Sequence, residues 1–183
     1  MLFVCTANIC RSPTAEMTFR RLLDERGIGP VSITSAGVAA TDGQRLDSTV
    51  ASLLAGDGID VTGFASRRLE DDDVMSADLI LTATRQHRSS VVQRVPRVLG
   101  RTFTLLEFTT LAANLACGSL PKGPDRLLWL RDQAAAHRNL LLLPDLPMDL
   151  PDPYMRRRAV YRASHRQIGE ALETLADLLG AAR

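Results

Sequence analysis

Short apolar runs alternate along this chain with longer segments in which apolar residues recur every three or four positions. The first run, Leu2 to Cys5, has the length of a buried strand, and the pattern after it predicts a helix from Pro13 to about Arg26 that ends at Gly27. Three more strands are expected, at Val31 to Ser35, Asp78 to Thr82 and Phe103 to Leu106. Strands that alternate with helices predict an α/β fold with a parallel sheet covered on both faces.

Helical periodicity also marks the rest of the chain. Further helices are expected at Leu46 to Ala55, Arg85 to about Val95, Asp125 to about His137 and Arg157 to Leu179. The segment 112–146 fits the pattern least, and we interpret it as a helical insertion within a single domain of residues 1–183. Ligands bind at the carboxyl ends of parallel strands, so Cys5, at the end of the first strand, marks the expected site.

Composition and charge narrow the classes of function. The 183 residues carry a net charge of +1, which is too weak a field to favour nucleic acid or a membrane surface as a partner. No signal peptide is recognisable, and the longest aliphatic run, Leu140 to Leu143, is too short to span a bilayer. Three cysteines without a secretion signal indicate free thiols in the cytoplasm, and no spacing between them and the three histidines indicates a metal site.

The octapeptide from Cys5 to Ser12, CTANICRS, is the strongest chemical signal in the chain. A loop between a strand and a helix turns its backbone N–H groups inward, and the positive end of the helix dipole adds to them, so the loop can hold a dianion such as phosphate or sulfate. A thiol at a helix N-terminus beside a guanidinium has its thiolate stabilised, so we expect the pKa of Cys5 to lie below its usual range. Cys5 is therefore a candidate nucleophile.

The other residues of this loop suit the same chemistry. Arg11 can donate two parallel hydrogen bonds to phosphoryl oxygens, Ser12 can donate to the Cys5 sulfur while capping the helix, and Asn8 tolerates the left-handed backbone that a cradle needs. The plainer interpretation is a strand, a loop and a capped helix that contain cysteine and arginine by chance.

A second candidate group lies far away in sequence, at Asp152-Pro153-Tyr154. A thiolate that displaces an alkoxide or phenoxide needs an acid to protonate the leaving oxygen, and Asp152 is our candidate, with Asp149 as a weaker one. Tyr154 offers a flat wall to an aromatic substrate. Alone, the same residues would more often be an ordinary turn before the last helix, with Asp152 as its cap.

Together these stretches resemble the low-molecular-weight protein tyrosine phosphatase family, whose nucleophile loop reads V-C-x-G-N-x-C-R-S-P and whose acid lies in a D-P-aromatic sequence; here they are VCTANICRSP and LPDPY. The likeness includes Ser35-Ala36-Gly37, Gly58-Ile59-Asp60 and Ser66-Arg67-Arg68. It implies a three-layer sandwich with a four-stranded parallel sheet of the phosphotyrosine protein phosphatase I type, and phosphomonoester hydrolysis through a phosphocysteine, without metal or cofactor.

The resemblance also assigns roles to individual residues. Cys5 would be the nucleophile, Arg11 the phosphate clamp and Asp152 the acid and then the base, while Asn8 and Ser35 would support the loop. Substrate binding would fall to Thr6, Ala7, Asn8, Ile9, Cys10, Ser12 and Tyr154. As in many members, Cys10 would be able to form a protective disulfide with Cys5 on oxidation. The implied substrate is a phosphorylated protein or a small aryl phosphate, with the oligomeric state left open.

Three departures from the family pattern bear on the site. Ala7 replaces a glycine, which would strain the loop if that position needs a positive φ. Phe64 stands where many members have a histidine that supports the loop asparagine, so Asn8 is expected to lack one partner. No tryptophan or tyrosine occurs at 40–43, where some members have an aromatic wall, so Tyr154 would act alone and the case for phosphotyrosine is weaker.

Three rival functions remain open. Arsenate reduction needs two further thiols, and only Cys10 and Cys117 are present, with no pair on a mobile helix. Phosphoarginine hydrolysis belongs to members with threonine before the second loop cysteine, whereas Ile9 resembles the tyrosine-directed members. The third rival is a non-catalytic phosphate-binding module, but such a module would not need Cys5 and Asp152 together with Arg11.

Two runs of like charge have no assigned chemistry. The acids at 70–73 and the arginines at 156–158 are interpreted as solvated surface. The arginines lie at the start of a predicted helix, where cations oppose the dipole, and they are candidates for guiding an acidic substrate.

Overall fold

The structure, a computed structural model, describes residues 1–115, 125–138 and 148–180. Its four strands are β1 (Leu2–Cys5), β2 (Thr34–Gly37), β3 (Ile80–Thr82) and β4 (Thr102–Thr104). They form one parallel sheet in the order β2-β1-β3-β4, so the strand that ends at Cys5 is central and the carboxyl ends of all four strands lie at one edge. The predicted four-stranded parallel sheet is confirmed.

Seven α-helices lie in the described ranges. They are α1 (Arg11–Glu25), α2 (Ser48–Gly56), α3 (Asp71–Ser76), α4 (Arg85–Arg94), α5 (Leu105–Leu115), α6 (Arg126–His137) and α7 (Arg158–Gly180), with a 3₁₀ helix at Pro96–Arg101. The predicted helices at the positions of α1, α2, α4, α6 and α7 are confirmed to within two residues at each end, a usual uncertainty for helix boundaries.

The sheet buries both faces because successive residues of a strand point to opposite sides. On one side Phe3 and Cys5 of β1 pack with α1, α5, α6 and α7, and on the other Leu2 and Val4 pack with α3, α4 and the 3₁₀ helix. This is the expected three-layer sandwich. A third, smaller cluster joins the nucleophile loop to α2 and α7 through Cys10, Val50, Leu54 and Tyr161.

Three strand predictions had wrong boundaries, and of these β3 begins at Ile80 rather than Asp78. β2 runs over Thr34–Gly37 rather than Val31 to Ser35, because the ladder with β1 starts at the pair Leu2 and Thr34 and so leaves Val31 outside the sheet. β4 ends at Thr104 rather than Leu106.

Helix α5 was not predicted, because the predicted fourth strand extends over its first two residues. Thr104 Oγ1 accepts a hydrogen bond from the Glu107 N–H, and a Glu107 carboxylate oxygen accepts one from the Thr104 N–H. This reciprocal pair is a capping box, which the sequence T-L-L-E signals and which stops the strand where the helix begins.

Helix α3 was also missed, because its first turn is the acidic run at 70–73. The Glu70 N–H donates to the Asp73 carboxylate, and Arg67 pairs with the same Asp73. Three aspartates lie in the first turn of α3, where the positive end of the helix dipole stabilises them. The run is therefore a helix start and not merely a solvated surface.

The predicted insertion lies only partly within the described residues. Its helix α6 packs Leu127, Leu130 and Ala134 into the larger core, and Trp129 lies partly buried against it. Residues 116–124 and 139–147, with Cys117, lie outside the described ranges. The division into one domain with an insertion at 112–146 stays a prediction.

Candidate active site

The loop between β1 and α1 is framed by backbone hydrogen bonds at its start. Val38 donates to the Cys5 carbonyl and Ala39 to the Thr6 carbonyl, while α1 begins at Arg11 with Cys10 in the N-cap position. The backbone N–H groups of residues 6–12 donate to no group in the described part of the chain. Seven consecutive donors at a helix N-terminus are thus free for an anion.

Asn8 holds the loop from within. Its φ of 55° is left-handed and its side chain is fully buried. Its amide nitrogen donates to Ser12 Oγ (2.9 Å) and Ser35 Oγ (2.8 Å), and its carbonyl oxygen accepts from the Arg67 N–H (2.9 Å). The amide therefore uses both donors and its acceptor, which ties the loop to β2 and to the segment before α3.

Two expected defects of this loop are absent. The positive φ falls on Asn8 and not on Ala7, so an alanine there carries no left-handed strain. The replacement of histidine by Phe64 does not leave Asn8 short of a partner, because the Arg67 backbone and Ser35 satisfy it. The expectation that Asn8 lacks one partner was wrong.

Gly37, the last residue of β2, lies against the loop backbone. A Cβ built on it would lie 2.5 Å from the Thr6 carbonyl oxygen and 2.8 Å from the Asn8 nitrogen, which no side chain can occupy. The close approach explains why the last residue of β2 is a glycine.

Ser12 contacts the sulfur of Cys5, with 3.0 Å between Oγ and Sγ. The prediction that Ser12 also caps the helix was wrong, because α1 begins one residue earlier and no side chain caps its first turn. Since Ser12 Oγ already accepts from Asn8, its proton is free to turn to the sulfur or to the Ala36 carbonyl at 3.3 Å. A hydroxyl placed in this way can donate to a thiolate.

Arg11 is the cation of the site and is 95% buried, with 5% relative side-chain exposure. Its Nη2 forms an ion pair with Asp152 Oδ2 at 2.9 Å and donates to Thr6 Oγ1 at 3.4 Å. Its Nε is buried and has no hydrogen-bond partner among the described residues. A buried donor without a partner is unfavourable unless a ligand supplies the acceptor.

The loop before α7 brings Asp152 to this place from 140 residues away in sequence. Leu150 is buried and its N–H donates to the Ala83 carbonyl at the end of β3, while Asp152 Oδ1 accepts from the Tyr154 N–H at 3.2 Å. Asp152 itself is 54% exposed. The structure therefore brings together Cys5, Arg11 and Asp152, the three residues singled out from sequence.

Asp149, the weaker candidate for the acid, has another partner. It accepts the Arg85 backbone N–H at the start of α4 and forms an ion pair with the Arg85 guanidinium at 3.0 Å. Burial opposes the ionisation of Asp149, but these hydrogen bonds outweigh it and lower the pKa of its carboxyl. A carboxylate held ionised in this way suits an anchor of the loop better than an acid.

The remaining predicted binding residues differ in exposure. Tyr154 is 51% exposed, as a wall of an open cleft would be, and Ile9 is partly buried against the cluster of α2 and α7. Cys10 is buried, and burial followed by the charge of Asp47 raises the pKa of its thiol to about 12. Cys5 and Cys10 are both free thiols.

Two supports of the site were missed from sequence. His87 on α4 reaches the loop residue Thr6, with 2.8 Å between Nε2 and Oγ1. Asp47 caps α2, accepts from the Tyr161 hydroxyl on α7, and donates its own N–H to the Ile9 carbonyl. A signal for His87 exists, since it follows β3 at the edge of the sheet that carries Cys5.

Two features are absent from the described residues, namely a membrane-spanning helix and a metal-binding cluster. No described helix has the length and apolar character needed to cross a membrane. In the same ranges, no three side chains of His, Cys, Asp or Glu are grouped in a way that would hold a metal ion.

Comparison with known proteins connects this geometry to a family. A family profile described as "Low molecular weight phosphotyrosine protein phosphatase" matches residues 1–118. The protein-arginine-phosphatase of Bacillus subtilis (strain 168) is 34% identical over 110 residues, which are 60% of this chain and 72% of that protein. The low molecular weight protein-tyrosine-phosphatase Etp of Escherichia coli (strain K12) is 39% identical over 102 residues, 56% of this chain and 66% of that protein.

A solved structure extends the likeness to the whole chain. It is a serine mutant of the YwlE arginine phosphatase with a phosphorylated active-site serine, and it superposes with a TM-score of 0.73 at 26% identity over 100% of this chain and 96% of its own. The profile ends before the loop that carries Asp152, so the sequence match covers the nucleophile loop and the structural match covers both. The chain belongs to the low molecular weight phosphotyrosine protein phosphatase family.

Proposed function

We propose that the chain hydrolyses phosphomonoesters of proteins, with phosphotyrosine as its substrate class, through a phosphocysteine formed on Cys5. One observation carries the proposal. The loop that starts at Cys5 carries a row of unpaired backbone N–H groups and a buried Arg11 Nε without a partner among the described residues, and the same guanidinium contacts the Asp152 carboxyl group. A phosphoryl dianion supplies the acceptors that both sets of donors need.

The first step transfers the phosphoryl group to sulfur. The Cys5 thiolate attacks phosphorus, so an S–P bond forms while the bond from phosphorus to the leaving oxygen breaks. Asp152 donates a proton to the departing oxygen, so the leaving group departs as a neutral phenol and not as a phenoxide. The loop N–H groups and Arg11 stabilise the charge on the three equatorial oxygens.

The ion pair between Arg11 and Asp152 prepares this step. In the described state the guanidinium has the carboxylate as its counter-charge at 2.9 Å. A phosphoryl dianion on Arg11 replaces that counter-charge. Substrate binding therefore releases the Asp152 carboxyl group from Arg11 for its role as the acid.

The second step regenerates the enzyme. Asp152, now a carboxylate, accepts a proton from water as that water attacks phosphorus, and the S–P bond breaks to release inorganic phosphate. The Ser12 hydroxyl, 3.0 Å from the sulfur, donates to the thiolate that departs. A reducing compartment, the cytoplasm, suits this chemistry because Cys5 must remain a free thiol.

Phosphoarginine is the second candidate substrate, because two of the relatives are named as arginine phosphatases. Ile9 favours phosphotyrosine, since it presents a bulky apolar side chain without a hydroxyl in the loop. A panel of phosphopeptides separates the two. We expect kcat/KM for phosphotyrosine to exceed that for phosphoarginine by at least about tenfold, which corresponds to about 1.4 kcal/mol, and the reverse order would assign phosphoarginine.

Replacement of the nucleophile tests the activity itself. Purified protein is expected to hydrolyse an aryl phosphate, and Cys5→Ser to abolish turnover, because a serine hydroxyl is far less ionised than a thiol. Cys10→Ser is the matched control, since it removes the other buried thiol of the loop and is expected to keep measurable turnover. Equal rates for Cys5→Ser and the parent would refute the phosphocysteine.

A further inference from the structure

The side chain of His87 lies between two hydroxyl groups on different segments. Nδ1 is 2.7 Å from Thr84 Oγ1, and Nε2 is 2.8 Å from Thr6 Oγ1. The ring is buried, with 7% relative exposure, and it lies on the first turn of α4. Neither the nucleophile nor the acid loop contains this residue, and the reaction described above does not use it.

Thr84 fixes the ring by capping the helix that carries it. Thr84 is the N-cap of α4 and its Oγ1 accepts the His87 backbone N–H. With that lone pair in use, the Thr84 hydroxyl still has its own proton, and Nδ1 of the ring at 2.7 Å is the acceptor that the structure gives it. Thr84 Oγ1 thus contacts both the backbone N–H and the ring of His87, the third residue of the helix that it caps.

A neutral ring admits two tautomers, and we assign the one in which Nδ1 accepts from the Thr84 hydroxyl. In this tautomer the ring carries its proton on Nε2 and donates it to Thr6 Oγ1. Arg11 Nη2 also donates to Thr6 Oγ1, at 3.4 Å. Thr6 Oγ1 thus accepts from two fixed donors, and its own proton has no partner among the described residues.

The position of Thr6 gives this free proton a use. Thr6 directly follows Cys5, is exposed, and shares the donor Arg11 Nη2 with the carboxylate of Asp152. The hydroxyl therefore stands at the open side of the loop, beside the guanidinium that is proposed to bind the phosphoryl group.

We propose that His87 is a positioning residue that fixes the Thr6 hydroxyl with its proton directed at the bound phosphoryl group, which adds a side-chain donor to the backbone cradle. The inference rests on the proposed function for its catalytic readout. Thr6 contacts the substrate, and His87 acts only through Thr6.

The charge state of the ring supports this arrangement. Burial first, and then the positive charge of Arg11, lower the pKa of His87 to about 4, against the opposing effect of Asp152 and Asp149. The ring is therefore neutral at neutral pH, as a ring that accepts at Nδ1 and donates at Nε2 must be.

A double-mutant cycle tests the coupling between His87 and Thr6. Thr6→Val, His87→Phe and the double variant are compared with the parent for kcat and KM on an aryl phosphate. We expect each single variant to lower kcat/KM by about tenfold, and the double variant to lose no more than Thr6→Val alone, since His87 has no other route to the substrate. Losses that multiply in the double variant would overturn the proposal.

Conservative variants separate positioning from stability. His87→Gln keeps a side-chain N–H that can reach Thr6, and Thr6→Ser keeps the hydroxyl, so both are expected to recover most of the lost kcat/KM. His165→Gln on α7 is the matched control for loss of an imidazole and is expected to match the parent. If His87→Phe does not fold, Thr6→Val and His87→Gln still test the proposal. A parent-like kcat/KM for Thr6→Val would exclude the Thr6 hydroxyl from the reaction.

Binding of inorganic phosphate gives a readout independent of turnover. Calorimetric titration of the parent, Thr6→Val and His87→Gln is expected to show phosphate affinity about fivefold weaker for Thr6→Val and nearly unchanged for His87→Gln. If the parent bound phosphate with this pattern but hydrolysed nothing, the proposed function would fail while the inference about His87 held. Unchanged affinity in Thr6→Val would overturn the inference.

Discussion

The two loops that form the site are held in different ways. The nucleophile loop at 5–12 is mostly buried, and Asn8, Ser12, Gly37 and the ends of β1 and α1 fix it through side-chain and backbone contacts. The acid loop at 148–157 is anchored at Leu150 and Asp149, but Asp152 itself is about half exposed. One loop is fixed along its length by buried contacts, whereas the other is anchored at its base and reaches Arg11 through a half-exposed Asp152.

This difference matches the two tasks. A cradle of backbone donors stabilises a transition state only if the donors are already in place, since reorganisation would consume the gain. An acid that donates a proton and then accepts one from the attacking water must be reached by that water, so an exposed position suits it. We therefore expect substitutions in the nucleophile loop to affect all substrates, and substitutions in the acid loop to affect them according to the leaving group.

The largest effect is expected for Arg11→Lys. A lysine retains the charge but loses the planar fork and cannot use the buried Nε position, so kcat/KM should fall on the order of 10³-fold for good and poor leaving groups alike. Steady-state kinetics on a series of aryl phosphates measures this. Arg45→Lys, an exposed arginine, is the matched control. A loss confined to poor leaving groups would contradict the division between the loops.

Asp152→Ala is expected to have the next largest effect and to depend on the substrate. For a leaving group of high pKa, kcat/KM should fall by about 10² or more, and for one of low pKa by little, because kcat/KM reports the first step and only the former leaving group needs the proton there. Asp149→Asn removes the neighbouring carboxylate and should keep the leaving-group dependence of the parent. An equal loss for every leaving group would remove Asp152 from the role of acid.

Gly37→Ala tests how tightly the nucleophile loop is fixed without touching a reacting group. Its Cβ would meet the Thr6 and Asn8 backbone, so the loop must shift at a cost of about 1–3 kcal/mol, with a fall in activity and in the free energy of unfolding. Gly100→Ala is the matched control, because no atom lies within 4 Å of a Cβ there. The free energy of unfolding from urea titration and kcat/KM measure the two effects. Equal values for both variants would show that the loop tolerates displacement.

The smallest effect is expected in the pH dependence of stability. The unfolded chain protonates His87 at its ordinary pKa near 6.5, whereas the folded protein resists protonation down to about pH 4. The free energy of unfolding is therefore unaffected by His87 protonation above pH 6.5. It falls as the pH is lowered from 6.5 towards 4, by about 1–2 kcal/mol after allowance for solvent screening. Urea midpoints of the parent and His87→Gln at pH 7 and pH 4.5 measure it, and equal pH slopes would contradict it.

The sequence was most informative where a local pattern and a chemical requirement coincide. The nucleophile loop is contiguous, so Cys5, Asn8 and Arg11 could be recognised together before any fold was known. Asp152 needed the resemblance, since nothing in its own surroundings separates an acid from a turn residue. The family and the fold are confirmed, and the individual catalytic roles remain proposals.

The differences from the predictions have both local and distant causes. Ser12 was expected to cap the helix, but α1 begins at Arg11, and the acids at 70–73 were expected to be solvated surface, whereas Asp73 pairs with Arg67 at the start of α3. Asp149, the weaker candidate for the acid, is held by Arg85 from 64 positions away. The side chain of His87 reaches Thr6 across 81 positions, and only the pairing of β1 with β3 brings the two segments together. Contacts of this kind depend on the register of the sheet, which a single sequence does not specify.

The hydrogen bond from the Tyr161 hydroxyl to Asp47 has a consequence for the order in which the protein is completed on the ribosome. Asp47 supports the nucleophile loop through Ile9, and Tyr161 lies on α7, which is synthesised after the other described helices. A nascent chain that stops before α7 has the sulfur, the guanidinium, the central strand and the acid loop, but it lacks the Tyr161 hydroxyl that holds Asp47. The reactive thiol therefore acquires its full surroundings only after the end of α7 has left the exit tunnel.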